Sequence, residues 1–175
     1  MTLITIDDQL AEIRLRIERL QARARAAGAN AVARIHLDAL RHEEASVRAA
    51  AREAPDEIEE RLGQLNARLD VAEHSLTADL SDDWAMFAAA VEEELRSWDT
   101  YLERLQTSVA TKAWRARERA EATIAEARSH RIAVEQRLAQ ACDGAGDGGR
   151  AQRGRITAAR DELARKAHEL PTKLT

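Results

Sequence analysis

The chain has 175 residues, 33% charged and 3% aromatic, with seven glycines, two prolines and a net charge of −4. That composition, rich in Ala, Glu, Leu and Arg, is the signature of long patterned helices. The single cysteine, Cys142, excludes an intrachain disulfide or a thiolate metal site built by this chain alone. No apolar run approaches the roughly 18 residues that span a bilayer.

The segment Met1–Asp8 has no basic start, and Asp7 and Asp8 interrupt its apolar run. It therefore does not read as a signal peptide, and a cytoplasmic protein is expected. From Ile6 the apolar residues fall at Ile6, Leu10, Ile13, Ile17, Leu20, Ala24, Ala27 and Ala31. Steps alternating four and three are the spacing of a coiled-coil seam. The stripe thins through Ile35, Leu40 and Val47, and Gly28 lies inside it. Pro55 with Asp56 and Glu57 marks a new helix start or a kink, since proline suits only the first helical turn and acids favour a helix N-terminus. The heptad restarts at Ile58, Leu62, Leu65, Leu69, Ala72 and Leu76.

Leu80-Ser81-Asp82-Asp83 is the expected turn, with Ser81 or Asp82 as N-cap. The next helix carries Trp84, Ala88, Val91, Leu95, Trp98, Leu102, Leu105 and Val109 at heptad spacing. Its register then shifts to Ala113, Ala116, Ala120, Ile124 and Ala127, which resembles an eleven-residue repeat. Heptads resume at Arg131, Val134, Leu138 and Ala141. The pattern predicts an all-α fold, a long antiparallel helical hairpin or coiled-coil bundle over residues 1–142. The alternative is a three-helix bundle with a break at Pro55. Glycine enrichment marks 143–154 as a flexible linker, and 155–175 reads as a short basic amphipathic helix and tail, with Ile156, Leu163, Ala167 and Leu170 on one face.

Charge is segregated along the chain. Residues 55–100 hold thirteen acids against three arginines, a net of −10, whereas 101–142 carry +3 and 150–175 carry +4. A rod with an acidic tip and a basic open end can pair with a second copy in opposite orientation.

A di-iron carboxylate bundle needs Glu-x-x-His, which puts both ligands into one site. The residues three before His36, His42, His74, His130 and His168 are Ala33, Ala39, Val71, Ala127 and Arg165. No phosphate-binding glycine loop ends in Gly-Lys-Ser/Thr, and no serine sits in a nucleophile elbow. Neither a catalytic residue, nor a cofactor, nor a metal is therefore expected, and the reading is non-enzymatic. All five aromatics fall between 84 and 114. Trp84, Phe87, Trp98, Tyr101 and Trp114 are either bundle core or a docking surface, because Trp and Tyr are favoured at interfaces. Arg160, Arg165 and Lys166 on the tethered basic helix are candidates for an acidic partner or an anionic membrane surface. A net negative chain with scattered arginines argues against nucleic acid.

The stretch Asp82-Asp-Trp-Ala-Met-Phe-Ala-Ala-Ala-Val-Glu-Glu-Glu-Leu-Arg-Ser-Trp98 resembles small bacterial coiled-coil proteins associated with stress response, over about residues 60–140. The resemblance implies a helical architecture and a stress-linked role. The expected function is thus a structural or adaptor protein that self-associates, as a homodimer of hairpins or with another helical protein. The alternative is a peripheral binder of anionic lipid surfaces.

Overall fold

The structure is a computed structural model, and it describes residues 5–28, 31–51, 58–111, 114–143 and 149–170. It is all-α: among the described residues there are six helices and no strand. They are α1 (Ile6–Ala26), α2 (Ala31–Ala50), α3 (Ile58–Asp79), α4 (Trp84–Val109), α5 (Trp114–Asp143) and α6 (Gly149–His168). The chain divides into two compact units, Met1–Ser97 and Trp98–Thr175.

In the first unit α1 begins with a reciprocal cap. Thr5 Oγ1 accepts from the Asp8 N–H at 3.2 Å, and the Asp8 carboxylate accepts from the Thr5 N–H at 3.1 Å and its hydroxyl at 2.7 Å. This satisfies N–H groups that a helix start leaves open and holds the Asp8 carboxyl below its ordinary range. The heptad positions Leu10, Ile13, Ile17, Leu20 and Ala24 are buried. The stripe stops there, because Gly28 takes φ 64° and ends the helix. On α2 the buried face is Leu37, Leu40, Glu44 and Val47, and on α3 it includes Ile58, Leu62, Leu65, Leu69 and Leu76. These apolar residues form one core, and α1, α2 and α3 each pack on the other two.

Polar links fix the directions. Arg16 of α1 reaches Asn66, Asp70 and Glu73 of α3, Gln21 of α1 donates to Asp38 of α2 at 3.4 Å, and Arg68 of α3 pairs with Glu43 of α2. α1 and α3 therefore run parallel, with α2 returning between them.

The first arm of the expected hairpin, before the turn at Leu80–Asp83, is thus three helices and not one. The reason lies in side-chain size. Beyond Leu20 the stripe is alanine, which buries little area, and folding back at Gly28 lets the large residues on either side share one core. Pro55, expected to kink or separate helices, lies outside the described residues. The turn after α3 falls as expected, between Asp79 and Trp84. Its capping side chain is Asp83, not Ser81 or Asp82: Asp83 Oδ1 accepts from the Met86 N–H at 3.0 Å. Ser81 is buried instead.

In the second unit the end of α4 contributes Trp98, Tyr101, Leu102, Leu105 and Val109 to the interior. The register shift expected after Val109 is a helix end: Ala110 and Thr111 bond back to Gln106 and Ser108, and α5 starts anew at Trp114. On α5 the residues Ala120, Ile124, Ala127, Val134 and Leu138 are buried. Arg131, which occupies a seam position, pairs with Asp99 of α4 at 2.9 Å and with Glu135 on its own helix. α6 packs along α5 with Ile156, Leu163, Ala167 and Leu170 buried. Lys166 meets Glu126, and Arg137 donates to the Arg155 carbonyl, so the two helices are antiparallel. The linker expected over 143–154 is corrected in part. Residues 149–154 are the first turns of α6, and Gly144–Gly148 lie outside the described residues.

Candidate functional site

The sequence-derived candidates separate into a core set and a paired set. Phe87, Trp98 and Tyr101 are buried, and Trp84 is half-buried with its ring 5.6 Å from that of Phe87. Trp98 and Tyr101 meet edge to face at 5.9 Å, a favourable aromatic geometry. Of the two readings of these aromatics, the burial of Phe87, Trp98 and Tyr101 fits the bundle core. The aromatic that meets solvent is Trp114, 75% exposed at the start of α5. It lies off the heptad register of the preceding seam, which runs through Trp84, Trp98 and Val109.

The basic residues of α6 are also engaged. Arg160 is 3% exposed. Arg165 pairs with Glu162 at 2.5 Å and Glu169 at 3.1 Å, and Lys166 pairs with Glu126 of α5 at 2.9 Å. The hydrogen bond from Arg165 holds the Glu162 carboxyl below its ordinary range, and the bond to Glu126 raises the Lys166 ammonium. Two of the cations expected to be available on the basic tail, Arg165 and Lys166, thus face carboxylates of their own unit.

In the first unit a groove of about 350 Å³ is lined by Arg16, Arg19, Leu20 and Arg23 of α1 and by Glu73, His74 and Thr77 of α3. The parallel packing of α1 on α3 creates it. Arg16 closes one end. Its guanidinium spends its donors on Glu73 at 3.0 Å, Asp70 at 2.6 Å and Asn66 at 3.3 Å, spaced along one face of α3. Burial works against that charge, but the bonds to Glu73 and Asp70 outweigh it and keep Arg16 above its ordinary value. His74 Nδ1 lies 3.1 Å from Ser97 Oγ, which itself lies 3.0 Å from the Glu93 carbonyl. The serine's one proton goes to that carbonyl, so Nδ1 is the donor to Ser97 and the ring is held in one tautomer. The Thr77 hydroxyl donates to the Glu73 carbonyl at 2.8 Å.

Arg19 and Arg23 remain. Both are exposed, and neither has a hydrogen bond or ion pair from its side chain among the described residues. Sequence reasoning passed them over as surface charge. The available signal was the spacing: the residues three and four away from each are Leu, Ala or another Arg, never an acid.

Among the described residues no three His, Cys, Asp or Glu side chains gather to hold a metal, and no helix is long and apolar enough to cross a membrane. Compared with known proteins, the chain matches no family model, no curated protein and no solved structure.

Proposed function

We propose that this chain is a non-enzymatic helical scaffold that associates with a second copy of itself. The observation that carries the reading is Trp114, a large apolar ring 75% exposed to water on a helix surface. An exposed tryptophan has a large area to bury and few degrees of freedom to lose, the properties of an interface anchor. Charge favours a second copy as the occupant. The unit bearing Trp114 carries +4, and the other unit carries −8, so two copies present complementary surfaces to each other. The stress-linked role implied by the resemblance is compatible with such a scaffold. The lipid-surface alternative has less support, since Arg160 is buried and Arg165 and Lys166 already face carboxylates.

Light scattering on a sizing column tests the proposal, with the wild-type chain and Trp114→Ala at about 50 mM and about 500 mM salt, where screening lengths differ severalfold. A wild-type dimer at low salt is expected, weakened at high salt and lost in Trp114→Ala. A wild-type chain that stays monomeric over the full concentration range would overturn it.

A further inference from the structure

We propose that the groove between α1 and α3 is a binding site for a phosphate group, held by Arg19 and Arg23. Three observations lead there. The first is composition of the lining. Glu73 is the one acid on it and is already neutralised by Arg16, so Arg19 and Arg23 leave the groove with two uncompensated positive charges. The second is pairing. Several arginines of this protein pair with a carboxylate one helical turn away, as Arg14 with Glu18, Arg48 with Glu44, Arg117 with Glu121 and Arg165 with Glu169. At that spacing Arg19 and Arg23 have each other, Arg16, Leu and Ala but no acid, so like charges repel along this face and nothing on their own helix neutralises them. The third is order in the walls. Arg16, Thr77 and His74 are each tied down by hydrogen bonds, so the groove is held open while its two free cations stay available.

The chemistry follows from the guanidinium. Two planar forks one turn apart can each give parallel N–H donors to the oxygens of one tetrahedral phosphate dianion, and such charge-assisted pairs are shorter and stronger than neutral hydrogen bonds. A groove near 350 Å³ sits at the small end of ligand sites and suits a phosphate or pyrophosphate head rather than a large body. The phosphate could belong to a soluble ester or to a lipid headgroup, and the two sources are separable.

The test is a calorimetric titration of the full chain with inorganic pyrophosphate at low salt, run beside flotation with phosphatidic acid vesicles and with neutral phosphatidylcholine vesicles. Three proteins are compared: wild type, Arg19→Ala/Arg23→Ala, and a charge-matched control, Arg25→Ala/Arg41→Ala. The control removes two exposed arginines that do not line the groove. Wild type and control should bind alike, and the groove variant should bind at least about tenfold more weakly, as expected for losing charge-assisted bonds. Binding of pyrophosphate with that pattern assigns a soluble phosphate compound. The same pattern seen only with phosphatidic acid vesicles assigns a lipid headgroup. Equal losses in the groove variant and the control would mean diffuse attraction and overturn the proposal, as would no binding by the wild type to either probe. The altered residues are on the surface, and unchanged circular dichroism melting of all three proteins establishes that folding is not what differs. Neither variant alters Trp114, so the comparison is separate from the test of self-association.

Discussion

Glu43 illustrates how one side chain records the cost of helix packing. It pairs with Arg68 across α2 and α3, yet burial raises its carboxyl above the ordinary 4.5, against the opposing pull of Arg68 and Arg61. The folded chain thus holds a proton on Glu43 at a pH where the unfolded chain has released it. Its contribution to stability is full below about 4.5 and is lost as pH rises through the higher folded value. Urea melts of wild type and Glu43→Gln at a series of pH values from about 4 to 7 read this out, because glutamine does not titrate. The stability of Glu43→Gln relative to wild type should rise with pH, and a difference independent of pH would contradict the assignment. Leu65 is the apolar counterpart, fully buried in the core shared by α1, α2 and α3. Leu65→Ala should cost about 2–5 kcal/mol in the same melts, by lost burial and the cavity left behind.

At the scale of elements, two glycines of one composition have opposite roles. Gly28 ends α1 at φ 64°, and Gly154 lies inside α6; neither has any atom within 4 Å of where a Cβ would stand. Sterics outside the backbone are therefore equal, and only conformation differs. Gly28→Ala forces a left-handed alanine and should destabilise by about 1–2 kcal/mol. Gly154→Ala removes a helix-interior glycine and should stabilise by about 0.5–1 kcal/mol. Thermal or urea denaturation of both variants checks the signs, and the same sign for both would contradict the backbone assignment. Helix existence was legible from heptads throughout, and the seam from Ala88 to Val109 is buried as the spacing predicts. Helix ends were less so. An alanine continues a seam on paper whether or not anything packs on it, so Ala27 was read as a seam residue although it is exposed. The terminating signal, Gly28, was visible, but periodicity alone does not reveal that the chain gains more area by turning there. Asp83 was missed as a cap for a related reason: three short polar residues in a row can all cap, and only packing of Ser81 into the interior selects among them.

At the scale of the whole molecule, the all-α class followed from composition, while the candidate site did not. Arg16, Arg19 and Arg23 read as solvated charges because their meaning depends on α3 arriving alongside α1, and nothing in a single helix's pattern states which helix will be its neighbour. Arg165 and Lys166 show the converse: the excess of positive charge in 150–175 reads as available in the sequence, yet Glu126, Glu162 and Glu169 stand beside them in the fold. Segregated charge survives as a property of the units, −8 in one and +4 in the other. It makes any association between copies dependent on ionic strength, more so than an interface built from apolar contacts alone.

The three tryptophans stand in three environments: Trp98 buried, Trp84 half-buried and Trp114 in water. The protein therefore carries its own optical gauge. Emission from the indole at 114 is solvent-relaxed and open to collisional quenching by acrylamide, whereas that from the indole at 98 is shielded. If a second copy covers Trp114, concentrating the protein will shift the spectrum to the blue and remove the quenchable fraction, and dilution will restore both. No label is needed, and the inner tryptophan serves as the fixed reference.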